Sequence, residues 1–386
     1  MHTQLSNFDI HPVTGFLPSP DPLTQLPSSF IQWDELGAQL PALLSAGKAR
    51  IYLANMPLLD VTRLESKGQL ERAMLLLSTF ASAYVWGETQ PAPRLPRSLA
   101  APLWKVAERV GRKPIIGHAS YVLNNWRRID PNGSIELGNL TMLQPFLNSS
   151  DEAWFALVTV EIEAKGAAIL PQLLRAQEAV ETHDIPTLKD ALQKIEISIQ
   201  QITHTLMRMY EKCNPHVFYH HIRPFLASWN APGVIYEGVS DMPLMYAGGS
   251  ASQSSLIPSL DAVLGVRHMG AVTNPFLLEM RHYMPPAHKR FIETLENGPN
   301  VRAFVHAHLS TDPYLAEQYN SCIDALSTFR KKHMEIAVRY IMMQSPEQDD
   351  NKGTGGASFT AFLGIARRET RDCRLTASTR PRSVEK

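Results

Sequence analysis

Apolar residues recur along most of this chain at steps of three and four, the period of an α-helix. The pattern predicts a helix over about 34–47 and a second over Leu58–Tyr84, broken near Gly68. A third covers "RSLAAPLWKVAERVG", Arg97 to Gly111. The stretch "GHASYVLNNWRRIDPNGSIELGNLTMLQPFLNSS" is turn-rich and reads as a connector ending near Asp151. Beyond it, "DEAWFALVTVEIEAKGAAILPQLLRAQEAV" predicts one long helix bent near Pro171, where the ring removes a backbone donor. Leu188, Leu192, Ile195, Ile202, Leu206 and Met209 mark the next helix. "NPHVFYHHIRPFLASW" is shorter, with Pro215 suited to the first turn. "SSLIPSLDAVLGV", "NPFLLEMRHYM" and "PPAHKRFIETLE" follow. The last long helix starts with Asp312 as N-cap and Pro313 at the first helical position, and runs to about Met343.

No βαβ alternation and no period-two strand is visible, so the fold class is all-α in two parts. Residues 1–33, rich in proline, form an extended arm; 34–145 a small helical domain with its connector; 151–369 a large helical domain. The polar tail, 370–386, reads as frayed and dispensable.

One position breaks the pattern of the last long helix. Its apolar stripe reads Leu326, Phe329, His333, Ile336, Tyr340, while Lys331 and Lys332 point elsewhere. An inward histidine needs a partner. It is either a core residue bonded to a carbonyl or carboxylate, or a metal ligand on a rigid helix. Asp261, in the apolar run "SLDAVLGV", needs a cation, and Arg330, one turn before His333, can supply it.

Composition narrows the classes. Of 386 residues, 44% are hydrophobic and 19% charged, so most of the chain should fold around a large core. A formal net charge of zero argues against nucleic-acid and anionic-membrane binding. Cys213, Cys322 and Cys373 are far apart and form no CxxC pair, which predicts neither a disulfide framework nor a thiolate zinc site and fits a reducing, cytoplasmic setting. The N-terminus lacks a secretory pattern, and no stretch is apolar enough to span a bilayer.

Other candidate chemistry is weaker. His333 and Glu335 form an H-x-E pair, but residues two apart on a helix diverge by about 200°. His216 and His220 have i, i+4 spacing yet lack HExxH, and they read as surface histidines. Phe218 and Arg223 offer an aromatic wall and a carboxylate clamp, or an arginine in a surface pair; on an α-helix they stand about 140° apart. The loops Ala247–Ser255 ("AGGSASQSS") and Lys352–Ser358 ("KGTGGAS") are not P-loops. Each is a flexible turn or a place where backbone approaches a ligand, and the second would suit a mobile lid.

The segments "PLLDVTRLESKGQLERAMLLLSTFASAYVWGE", "ASYVLNNWRRIDP", "NPHVFYHHIRPFLASW", "VIYEGVSDMPLMYAGGSASQSS", "MRHYMPPAHKRFIETLE", "FRKKHMEIAVRYI" and "KGTGGAS", in this order, resemble the indoleamine 2,3-dioxygenase family. The resemblance runs from about Leu58 to Ala366. It implies a small helical domain over a large one holding haem b, with His333 as the proximal iron ligand and Arg330 and Asp261 as a pair beside the haem. Phe218 and Arg223 match the distal aromatic and the substrate-carboxylate arginine. Gly249, Ser250 and Ala251 match the loop over the distal face, with Ser250 also near the reacting substrate. Thr354 matches the hydroxyl of a closing C-terminal loop. The implied reaction, the first of the kynurenine pathway, inserts O₂ across the indole C2–C3 bond of L-tryptophan or a related indoleamine to give N-formylkynurenine. A monomer acting on small molecules is implied. The chain departs from the family at His118, where tyrosine is usual, and at Tyr121, where a small cysteine is common. With Thr159, which stands near the family's distal serine, these positions bear on which indole fits. A haem protein of the same fold acting on another indole, or without catalysis, is the alternative.

Overall fold

The computed structural model describes residues 4–345, 353–354 and 359–376. Its fifteen helices are α1 (Ile31–Ser45), α2 (Ala49–Ala54), α3 (Lys67–Trp86), α4 (Arg97–Val110), α5 (Ser150–Gly166), α6 (Ile169–Glu181), α7 (Ile185–Met207), α8 (Met209–Lys212), α9 (Pro215–Val217), α10 (Leu256–Leu264), α11 (Thr273–Met280), α12 (Pro286–Glu296), α13 (Val301–Ala307), α14 (Pro313–Tyr340) and α15 (Phe359–Arg371). The all-α class holds. None of these helices is long and apolar enough to cross a membrane.

Caps explain several boundaries. α3 begins at Lys67, because Ser66 and Gln69 form a capping box. Gly68 therefore lies in the first turn of a helix and not at a break within one. α5 starts behind Ser149, whose hydroxyl accepts the Glu152 N–H. α14 starts as expected, with the Asp312 carboxylate accepting the Leu315 N–H and Pro313 at the first position.

Other expectations differ. The predicted single helix over 151–180 is two, divided at Ala167–Ala168, so Pro171 stands in the first turn of α6, where its missing N–H costs nothing. Short strands also occur among the described residues. β1 (Arg94–Leu95) pairs in parallel with β4 (Trp229–Tyr236), which pairs antiparallel with β5 (Leu244–Tyr246); β2 (Trp126–Arg128) pairs antiparallel with β3 (Leu140–Met142). They are too short to show a period of two. The two ladders tie down the connector and the entry to the 247–255 loop.

The N-terminal arm packs closely: Ile10, Phe16, Leu17, Leu26 and Phe30 are buried. At the other end, the expected fraying from Thr370 is not seen in its first part. Thr370, Cys373 and Leu375 are buried, and the Leu375 backbone exchanges hydrogen bonds with the Asn320 side chain. Residues 377–386 lie outside the described residues. One hydrophobic cluster runs unbroken from Ile10 to Leu375, across the boundary expected near 145–151. Cys213, Cys322 and Cys373 are buried and unpaired.

Candidate functional site

The site is built on α14, α10, α5 and two loops, around a cavity of about 1290 Å³. That exceeds the roughly 300–1,000 Å³ typical of small-molecule pockets. His333, Arg330, Phe155, Thr159, Ile257 and Ala262 are among its walls.

His333 faces the cavity from the inner stripe of α14. It is half-buried and borders the cavity. Its ring has no hydrogen-bond partner among the described residues, contrary to the core reading. Burial, with a smaller push from Arg330, lowers its pKa to about 4. The imidazole is therefore neutral at ordinary pH, the form that ligates metal.

One turn earlier, Arg330 Nη2 donates to Asp261 Oδ1 and Oδ2 at 2.5 and 2.6 Å. Burial alone would raise the Asp261 carboxyl; Arg330 and then His268 more than offset this and hold it below its usual range. His268 joins the pair to the C-terminal helix. Its Nε2 lies 3.2 Å from Asp261 Oδ2 and its Nδ1 2.7 Å from Glu369 Oε2 on α15. Burial would lower the His268 pKa, but Asp261 and Glu369 raise it overall. Arg330 Nε is buried without a partner, a donor suited to an anionic group in the cavity.

The other expected residues, Phe218, Arg223, Gly249 and Thr354, do not border the cavity. Residues 218–222 wind as a π-turn, with the Arg223 N–H donated to the Phe218 carbonyl. That i→i+5 turn holds more residues than an α-helical one, so the separation of about 140° expected for an α-helix does not apply between Phe218 and Arg223. Asn214 caps the segment by accepting the His216 and Val217 N–H groups. The Phe218 ring packs on Phe155, 4.7 Å between centroids, and on Tyr340 at 5.8 Å. Phe155 itself borders the cavity. The Arg223 guanidinium lies 5.1 Å from the Tyr219 ring.

The two glycine-rich loops meet. Thr354 Oγ1 donates to the Gly249 carbonyl at 2.6 Å, and the Gly248 N–H donates to the Thr354 carbonyl at 3.1 Å. Gly248 is required here, since a Cβ would collide with the backbone of Leu226 and Ala227. Lys352 and Gly355–Ser358 of the expected lid lie outside the described residues. Ser250 caps the turn Ala251–Gln253 through its hydroxyl and does not border the cavity, whereas Ala251, Ser252 and Ser254 do.

His118 and Thr159 border the cavity; Tyr121 does not. Its ring packs against Phe146 and Phe155, and its hydroxyl donates to Glu152 at 3.3 Å. Glu152 also accepts the Phe146 and Leu147 N–H groups. Glu335 pairs with Lys332 at 2.8 Å, so the H-x-E arrangement does not form. His216, His220 and His221 are exposed, and no cluster of metal-binding side chains exists among the described residues.

Phe155, Glu163, Gln253, His268 and Glu369 are not among the candidates that sequence reading singles out. Phe155, Thr159, Ile162 and Glu163 follow steps of four, three and one, a helical face that could have been read once Thr159 was chosen. His268 and Glu369 are about a hundred residues apart and carry no such signal.

A neutral histidine without a hydrogen-bond partner among the described residues, a buried unpartnered guanidinium N–H and a large apolar cavity fit a haem. Comparison with known proteins identifies the family. The model of the family "Indoleamine 2,3-dioxygenase" matches residues 4–373. "Indoleamine 2,3-dioxygenase 2" of Mus musculus is 36% identical over 390 residues, 96% of this chain and 95% of the relative. "Indoleamine 2,3-dioxygenase nanC" of Aspergillus nanangensis is 36% identical over 410 residues, 99% of each. "Indoleamine 2,3-dioxygenase 1" of Mus musculus is 34% identical over 365 residues, 89% of each.

Proposed function

Since the chain belongs to the indoleamine 2,3-dioxygenase family, we propose that it is a haem b-dependent dioxygenase inserting O₂ across the indole C2–C3 bond of L-tryptophan or a related indoleamine, giving N-formylkynurenine. The observation that carries the reading is His333, neutral, without a hydrogen-bond partner among the described residues and facing the large cavity.

His333 would ligate the haem iron, and Arg330, fixed by Asp261, would hold an anionic carboxylate of the cofactor through its open N–H. A haem held there would supply the oxygen chemistry. The chain's own part is positioning. Phe155, Phe218 and Ile162 keep the site apolar and dry. Arg223 binds the substrate carboxylate and fixes the indole in one pose. Thr354 holds the C-terminal segment against the Gly248–Gly249 backbone, which closes the loop side. No protein general base is required.

The test is the absorption spectrum of haem-supplemented protein, reduced and under air, with and without L-tryptophan, beside His333→Ala. A Soret band lost in His333→Ala, with product absorbance on adding tryptophan, supports the reading. A Soret band without product from any indole favours a haem protein of this fold without catalysis. No Soret band overturns the reading.

A further inference from the structure

The sequence "VEIE" places two glutamates on α5 with different fates. Glu161 is saturated: it accepts from the Leu137 N–H at 2.5 Å, Lys165 at 2.6 Å and Thr205 at 3.1 Å. Glu163, two residues on, points into a different environment. It is 2% exposed and borders the cavity one turn beyond Thr159. Its Oε1 accepts the Ser254 hydroxyl at 2.6 Å and lies 2.9 Å from His118 Nε2. Its Oε2 is buried and has no partner.

This carboxylate is clamped from several sides. His118, itself 4% exposed, gives its backbone N–H to Gln253 Oε1 at 2.9 Å, and Gln253 Nε2 donates to the Gly248 carbonyl at 2.8 Å. The π-turn after His118, helix α5 and the 248–254 loop therefore share one buried polar network. A buried acceptor left open is costly, and a rigid one costs nothing further to arrange when a donor arrives. The neighbouring cavity wall, Ile162 and Phe155, is apolar, which suits a flat ring.

Building on the proposed dioxygenase function, we propose that Glu163, held by His118 and Ser254, is a specificity-determining residue. Its open oxygen accepts a hydrogen bond from an N–H or O–H on the edge of the bound aromatic ring. Two sources share that chemistry: the indole N–H, and a hydroxyl on the benzo ring. The site thus selects donor-bearing rings over isosteres that lack the donor, because an analogue without it leaves a buried carboxylate oxygen unpaired.

The test measures dissociation constants for L-tryptophan, its sulfur isostere 3-benzothienyl-L-alanine, and 5-hydroxy-L-tryptophan, on wild type, Glu163→Leu and Glu163→Gln. They are read by the Soret shift of the haem-loaded protein and, independently, by calorimetry. Wild type should prefer a donor-bearing ligand by about tenfold or more, the scale of one charge-assisted hydrogen bond. Preference for tryptophan over the isostere identifies the indole N–H; preference for 5-hydroxytryptophan over tryptophan identifies the ring hydroxyl. Glu163→Leu should bring either ratio within about twofold, with the Soret band kept, and Glu163→Gln, which retains an acceptor, should keep part of it. A wild type without either preference, or a preference that persists in Glu163→Leu, overturns the proposal. A protein without a Soret band defeats the haem reading alone, since the calorimetric ratio still decides the role of Glu163.

Discussion

Replacing His333 by alanine takes away the imidazole that α14 presents to the cavity, so the variant should fold and lose its Soret band. Arg223→Ala should keep the band and lose at least about tenfold in kcat/KM on amino-acid substrates, because a guanidinium–carboxylate pair is worth roughly 1.5–3 kcal/mol. Indole derivatives without a carboxylate should be less affected. Retained turnover of tryptophan in that variant would remove the clamp role. At this scale the sequence showed much. The inward position of His333 and the need of Asp261 for a cation were both legible from spacing, and the structure pairs Asp261 with Arg330. The direction of Tyr121 was not legible, because it depends on Glu152 and on aromatic neighbours from other elements.

Among elements, the 214–226 segment shows how local winding reaches the site. The π-turn between Phe218 and Arg223 is held at its start by Asn214. Asn214→Ala should cost about 1 kcal/mol of stability, the usual loss of such a cap. It should also raise KM more than it lowers kcat if the segment serves to place Arg223; steady-state kinetics beside a thermal melt separates the two effects. The sequence marked this segment as helical but could not show the π winding, which no periodicity over so few residues encodes. The division of α5 from α6 was hidden for a similar reason. A proline in a first turn and a proline at a bend look alike until the backbone is seen.

At the scale of the whole molecule, α15 is clasped to α10 and α14 through Glu369, His268, Asp261 and Arg330. His268 has its pKa raised above the ordinary 6.5, so its contribution is present below that value and lost as pH rises through the higher folded one. Asp261 and Glu369, both lowered, contribute above their ordinary range and lose that contribution only as pH falls through their folded values. Arg330, 3.4 Å from His268 Nε2, opposes the imidazolium. The protection of α15 amides, taken relative to their intrinsic exchange rates, should therefore fall as pH rises above the ordinary 6.5, and His268→Gln should abolish that fall. An unchanged pH dependence in the variant would remove His268 from the clasp. Truncation after Glu369 removes Cys373 and Leu375 from the core and should destabilise the protein by about 2–5 kcal/mol, read from urea unfolding. A dispensable tail is thus confined at most to residues 377–386.

The sequence by itself determined the helical class, the inward face of α14 and the cap that starts it, because these depend on local period and local hydrogen bonding. Only the tertiary structure decided the partners of Glu163, the bridge from His268 to Glu369 and the meeting of Thr354 with Gly249. Those groups lie between about 45 and 105 residues apart along the chain. Their chemistry exists only where packing removes water and leaves each polar atom to find a partner or face the cavity.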